Sequence, residues 1–301
     1  MSLLVTGSIG IDTVEAPSGK AVDALGGSSV YFAWAASFFT NVRFVGVVGD
    51  DVPADFLSPL HDNPRIDMSG LEVRGGSRTF RWHGRYHEDV NVRDTVAVEL
   101  NVLGEPGPAI PPAFRDSRYV FLANTHPDLQ MELLGQLDSP ALIVADTMDL
   151  WITTERDSLG RLLEHIDGLV LNDSEARLLS GRANLVAAGM DIARMVRSFV
   201  VVKKGEHGSI LFADGRAFPL PGYPAEKVVD PTGAGDSFAG AMMGYLAAEG
   251  RHDNAALRTG MACGTVAASF VLEDFSLRAL MAATRADIDA RLDSFRRMVS
   301  F

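Results

Sequence analysis

The sequence predicts an α/β fold: a mainly parallel central sheet covered by helices on both faces, with a small β-sheet set apart from it. Three observations carry that expectation. From Arg118 onward, short apolar segments, Tyr119 to Ala123, Leu142 to Asp146, Gly168 to Asn172 and Phe199 to Lys203, alternate with helical stretches around 127–137, 155–165 and 185–197. Strands apolar on both faces with helices between them mark a parallel sheet buried on both sides. Leu3 to Ile9 adds a buried strand at the start, and Phe80 to His87 alternates with a period of two outside the strand–helix rhythm.

Composition narrows the function classes. A chain of 301 residues, 47% of them hydrophobic, can bury one large core. No linker, repeat or low-complexity stretch interrupts it, so it reads as a single domain over 1–301. A formal charge of −12 argues against a nucleic-acid partner, because phosphate backbones are held by clustered Lys and Arg. No apolar run approaches the roughly 20 residues of a membrane span, and Met1-Ser-Leu-Leu-Val lacks the basic start and apolar core of a signal peptide. The single cysteine, Cys263, leaves no internal disulfide framework and points to a reducing compartment, the cytoplasm.

Taken in order, the first strand ends at Gly7 and Gly10 with Asp12 just beyond, where ligands gather in open α/β sheets; Asp12 serves equally as a turn cap. Ser18 to Leu25 is polar and reads as irregular chain or an edge strand. Gly26-Gly27 opens a run from Ser28 to Phe39 that is apolar nearly all round, the pattern of a helix buried in the core. Arg43 to Asp51 is a strand ending in glycine and acid. In the period-two stretch, Phe80, Trp82 and Tyr86 share one face while Arg81, His83, Arg85 and His87 share the other, and Thr95 to Asn101 follows as a partner strand. The aromatic face either closes over a substrate and excludes water or forms the apolar seam of a dimer. His83 and His87, with no carboxylate fixed beside them, are surface or substrate contacts rather than metal ligands. Past the alternating region, Asn254 to Leu272 is a helix rich in small residues, and Ala286 to Met298 is an amphipathic helix that covers the sheet.

The chemistry concentrates in Val228-Val-Asp-Pro-Thr-Gly-Ala-Gly-Asp-Ser-Phe-Ala-Gly240. Two valines lead into a glycine-rich turn, and Asp236 opens a run of helix formers as far as Glu249. Unpaired amides at a helix N-terminus attract an anion, and glycines let it approach the backbone closely. A carboxylate beside a phosphate site repels its ligand unless it has a use, such as accepting the proton of an attacking alcohol. An acid in a first helical turn also serves as a plain dipole complement. The Walker pattern G-x-x-x-x-G-K-[ST] occurs nowhere, and Phe238 stands where a dinucleotide fingerprint needs its third Gly or Ala.

Asp230-Pro-Thr-Gly-Ala-Gly-Asp-Ser-Phe-Ala-Gly-Ala closely resembles the C-terminal signature of the ribokinase-like (phosphofructokinase-B) family of sugar and nucleoside kinases. The resemblance implies a ribokinase-like three-layer α/β/α fold with a β-sheet lid, here contributed by about 12–25 and 71–103. It implies ATP-dependent transfer of the γ-phosphoryl group to a hydroxyl of a small sugar or nucleoside. Asp236 is then the catalytic base, and the amides of Gly233, Ala234 and Gly235 form the anion hole. Asp12 holds substrate hydroxyls, and Gly26 and Gly27 leave room for a sugar and act as the lid's hinge. Asn172-Asp-Ser-Glu175 resembles the family's Asn-x-x-Glu motif, in which the acid organises Mg2+ through water; alone, it is also ordinary helix capping. Lys203-Lys-Gly-Glu-His-Gly208 resembles the strand and turn laid along the triphosphate, with Gly205 allowing backbone approach, though two lysines at a strand end equally suit a solvated edge. Asp230 and Thr232 match positions that hold a monovalent cation such as K+ in some relatives, and the helix from Asn254 lies where the family lines its adenine pocket. If the aromatic face of Phe80, Trp82 and Tyr86 is a dimer seam rather than a closing surface, the partner is a second copy joined lid to lid.

The chain departs from the family at Asp146-Thr-Met-Asp-Leu-Trp151, where sugar kinases often carry an Asn and an Arg. Without that cation a neutral sugar or nucleoside suits the site better than a sugar phosphate, and lid aromatics lean toward a nucleoside whose base stacks on them. A non-catalytic sensor on the same fold is the alternative class. Asp236 need not have a raised pKa to act as base: near a helix N-terminus it can stay ionised and take the proton late in transfer.

Overall fold

In the computed structural model, which describes residues 2–300, the apolar segments assemble one nine-stranded sheet and the alternating stretch builds a separate four-stranded one. In chain order the elements are β1 (Leu3–Thr6), β2 (Gly10–Ala16), β3 (Gly19–Gly26), α1 (Ser28–Ser37), β4 (Val42–Gly49), α2 (Ser58–Asp62), β5 (Ile66–Arg74), β6 (Phe80–Tyr86) and β7 (Arg93–Glu99). They continue with β8 (Tyr119–Leu122), α3 (Pro127–Leu134), β9 (Leu142–Asp146), α4 (Asp149–Thr154), α5 (Arg156–Leu163), β10 (Gly168–Asn172), α6 (Asp173–Ser180), α7 (Leu185–Ile192) and β11 (Phe199–Lys203). The last are β12 (Ser209–Ala213), β13 (Arg216–Leu220), α8 (Ala234–Glu249), α9 (Asn254–Val271), α10 (Arg278–Ala282) and α11 (Arg285–Val299).

The large sheet runs β13-β12-β11-β10-β9-β8-β1-β4-β5, parallel from β5 to β11 and antiparallel over β11-β12-β13. Alternate residues of its strands feed two cores. One holds Leu3, Val5, Phe44, Phe121 and Val201 against α1, α8 and α9; the other holds Leu4, Val120, Ile143, Leu171 and Val200 against α5, α6 and α7. Helices therefore cover both faces, as the apolar strands require. The α1 helix is buried along nearly its whole length, and Gly240 and Gly244 of α8 allow its backbone to close onto that of α1. Among the described residues no helix is long and apolar enough to cross a membrane.

The small sheet runs β3-β2-β6-β7, with β2 and β6 parallel. Its membership corrects the sequence-based bounds. Residues 71–74 belong to β5 at the edge of the large sheet, and the lid-forming stretch begins at Phe80. Asp12 lies inside β2 rather than in a turn, because the first strand stops at Thr6. The polar segment after it is an edge strand, β3. The helix expected around 155–165 is α5; a short helix outside that range, α4, precedes it, and the two meet at Glu155, whose ψ of 36 breaks the helical run. Finally, α11 turns Ile288, Leu292 and Phe295 inward and packs on α9, extending the core through a helix rather than covering the sheet directly.

Candidate active site

The carboxyl ends of the parallel strands and the inner face of the small sheet enclose a cleft of about 1260 Å³. Asp12, Glu175, Lys203 and Asp236 all line it, so expected site residues from four separate segments converge, and Asp146 lines it beside them. The helix behind the signature begins earlier than expected, with Gly233 as its N-cap, so Ala234 and Gly235 lie within the first turn and Asp236 follows them. Gly233 takes φ 78, and a Cβ there would lie 2.3 Å from the Tyr31 ring of α1. A left-handed N-cap pressed onto an aromatic ring admits only glycine. The consequence is a turn that lines the cleft beside a carboxylate, with Ala234 N donating to the Pro231 carbonyl at 3.2 Å.

Burial raises the Asp236 carboxyl above the ordinary carboxylate range, against the opposing charges of Lys203 and Arg93. Desolvation outweighs the helix terminus, although the base reading did not require a raised carboxyl. Asp12 is pushed up to about 8, first by burial and then by the charges of Asp230 and Asp236. Its carboxylate fills the place a side chain at Gly26 would occupy, with Oδ2 only 1.9 Å from that Cβ position. Gly26 thus makes room for Asp12 rather than directly for a ligand, and Gly27, at φ 100, would drive a Cβ into the Ser8 carbonyl at 2.4 Å.

Asn172 and Glu175 form a reciprocal cap on α6: Glu175 N donates to Asn172 Oδ1 at 2.8 Å, and Asn172 N donates to Glu175 Oε2 at 2.7 Å. The capping and cleft-lining readings are therefore both true of one residue. Burial pushes Glu175 up to about 7, with Lys203 opposing. Lys203 pairs in register with Asn172 across β10 and β11, and its Nζ lies 2.7 Å from where a Cβ of Gly235 would stand. It is thus turned onto the anion-hole turn and not out along a solvated edge. Asp230 is 1% exposed; its Oδ1 accepts from Thr232 N at 2.9 Å and its Oδ2 from Ser276 N at 3.2 Å.

The small sheet reaches the same cleft. Phe80, Trp82 and Tyr86 line it, as their shared face requires, while Arg85 and His83 on the other face pair with Glu15. The Trp82 ring lies across Gly84, where a Cβ would stand 1.9 Å from it. Contrary to expectation, both histidines have carboxylate neighbours, Glu15 3.2 Å from His83 and Asp94 2.9 Å from His87; among the described residues no group of three such side chains could hold a metal. Thr232 Oγ1 donates to Tyr86 Oη at 3.2 Å, and Asn91 Oδ1 stands 2.5 Å from the Cβ position of Gly205, so the small sheet touches both phosphate-side turns.

Several cleft residues escaped sequence reasoning. Asp146 stood out only as a polar strand end, yet it is buried with Oδ1 lacking a hydrogen-bond partner among the described residues, and its carboxyl is pushed well up by burial. Arg93 gave no signal at all on an exposed edge strand. In the stretch that departs from the sugar-kinase pattern, Trp151 Nε1 donates to Asn124 Oδ1 at 2.9 Å, and His126 packs edge-on against the indole.

A profile of the pfkB family of carbohydrate kinases matches residues 140–279. The cytidine kinase of Thermococcus kodakarensis is 30% identical over 257 residues, 83% of this chain and 89% of that one. The chain belongs to the pfkB family of carbohydrate kinases. In fold it is similar to the Burkholderia thailandensis nucleoside kinase in complex with inosine (TM-score 0.75, 21% identity, covering 97% of this chain and 98% of that one). It is likewise similar to Arabidopsis thaliana ribokinase complexed with ribose and ATP (TM-score 0.77, 19% identity, 96% and 98%). The pfkB member described here is an ATP-dependent sugar or nucleoside kinase, a phosphotransferase acting on a hydroxyl. No finding supports the sensor alternative.

Proposed function

We propose that this kinase phosphorylates the primary hydroxyl of a nucleoside. The observation that carries this reading is the aromatic face of β6, which lines the same cleft as Asp12 and Asp236 and offers stacking surface for a base. The neighbouring Asp146-to-Trp151 stretch supplies no cation for a second phosphate, and the Thermococcus kodakarensis relative is a cytidine kinase. In this reading Asp12 orients acceptor hydroxyls, the lid sheet excludes water, and Asp236 takes the proton as the acceptor oxygen attacks. The amides of Gly233, Ala234 and Gly235 receive the negative charge of the transferred group. In a loose transition state, such positioning and charge stabilisation are most of what a protein supplies.

Glu175, with Asn172 beside it, fits Mg2+: it is a carboxylate on the cleft wall, of the hard oxygen type that this ion prefers, often through water. Bound there, Mg2+ would neutralise nucleotide phosphate charge. Asp230 and Thr232 fit a monovalent cation such as K+, because the Asp230 carboxylate is almost wholly buried and, among the described residues, no basic side chain forms a salt bridge with it. Lys203 and Gly205 border the triphosphate track. The fully exposed edge strand β7, with Val96 turned to solvent, suits pairing with a second copy as a lid-to-lid homodimer, and the single buried Cys263 suits the cytoplasm. ADP release with MgATP across nucleosides, neutral sugars and sugar phosphates tests the assignment. Turnover of nucleosides is expected; preferential turnover of a sugar phosphate contradicts it.

A further inference from the structure

The anion-hole turn is not built from backbone alone. The Lys203 Nζ occupies the space that a side chain at Gly235 would need, so an anion seated on the amides of residues 233–235 meets a full positive charge as well as the helix terminus. Three acids face the same ammonium. Its charge acts on Asp236 from α8, on Glu175 from α6 and on Asp146 at the end of β9, and Asp146 also feels Asp236 and Glu175. Arg93 from the small sheet acts on Asp236 and Glu175 as well. Glu175 is engaged in its helix cap and Asp236 is the base, whereas Asp146 Oδ1 is buried and has no hydrogen-bond partner among the described residues.

We propose that Lys203 is a catalytic residue that neutralises the transferred phosphoryl group over the anion hole. The inference rests on the phosphoryl-transfer reading above and deepens it. The acceptor oxygen bonds to the γ phosphorus as the bond from that phosphorus to the β–γ bridging oxygen breaks. ADP leaves with the electron pair of that bond, and the hydroxyl proton passes to Asp236. Through this step negative charge spreads over the three equatorial oxygens of the moving group, and a fixed cation at its resting place gains strength as the charge arrives. A lysine that served only to hold nucleotide would act equally before and during transfer, affecting KM rather than kcat.

The test compares Lys203→Met and Lys203→Arg with the native chain in steady-state kinetics. Calorimetry of ADP alone and of ADP with tetrafluoroaluminate, a mimic of the transferring phosphoryl group, runs beside it. Lys203→Met is expected to lower kcat by about 10²–10³, the loss typical of one preorganised donor, with the KM for ATP and the ADP affinity within about threefold. Lys203→Arg restores part of the rate. Loss of the tetrafluoroaluminate enhancement in Lys203→Met supports the proposal even where the native chain turns over no acceptor in the panel, an outcome that would instead overturn the acceptor assignment. A Lys203→Met enzyme that keeps kcat and the enhancement while its KM for ATP rises makes the lysine a nucleotide anchor and overturns the proposal.

Discussion

Two stretches of one cleft were built by different means. At the proposed phosphoryl end, the reading rests on backbone amides and on the absence of side chains: Gly233 is held against Tyr31 at φ 78, and Gly235 is cleared for the Lys203 ammonium. In the stretch containing Asn124, His126, Met148 and Trp151, the surface is made of side chains leaning on one another, with the indole donating to Asn124 and the Asn124 amide donating to Met148 Sδ at 3.2 Å. Backbone-made sites constrain residue type at every position. Side-chain-made walls permit many solutions, which is how one fold accepts different alcohols.

Breaking the backbone-made end should have the larger effect. Gly233→Ala places a Cβ 2.3 Å from the Tyr31 ring at a φ that strains any residue but glycine. A strain of about 1–3 kcal/mol is expected from the dihedral alone. Turnover should fall by about 10²-fold or more, the loss expected for a displaced anion hole; near-native kcat would show that the turn does not depend on this contact. Trp82→Ala sharpens the other side. Removing a stacking surface worth about 1–3 kcal/mol should raise the KM for a nucleoside acceptor by about tenfold, with little change in the KM for ATP. An equal rise for both would mean that the small sheet serves closure in general rather than the acceptor.

The smallest effect concerns the buried acids. Asp12 is pushed up to about 8, so between the ordinary carboxylate range and about pH 8 the native state holds a proton that the unfolded chain has lost. Stability from this group is therefore lost as pH rises through that window and is highest at its acid end. Asp12→Asn should raise the melting temperature of the ligand-free protein by a few degrees at pH 8.5 and much less at pH 5. Equal shifts at both would show that Asp12 is not buried against Asp230 and Asp236 in solution.

Legibility followed the same division. The alternating apolar strands gave the parallel sheet and its two covering layers, because burial on both faces leaves a pattern that composition cannot hide. The signature and Lys203 were readable because glycines and charges at a strand–helix junction have few other uses. Three features were not. Residues 71–74 looked like lid because nothing local separates an edge strand of one sheet from a strand of another. Gly26 looked like room for a ligand, whereas the space is filled by Asp12 from a strand that the sequence stopped short of naming. The raised acidity range of Asp236 depends on burial by residues far apart in the chain, which no local pattern reports.

The central claim is that Asp236 is the base at an anion hole built from residues 233–235. It is tested most directly by steady-state ADP release from Asp236→Asn beside the native enzyme. The account predicts a kcat lower by about 10²–10⁴ with the acceptor and ATP KM values largely kept. In the native enzyme it also predicts an acid limb of kcat above the ordinary carboxylate range, because burial raises this carboxyl. An Asp236→Asn enzyme that retains nearly full kcat would contradict it.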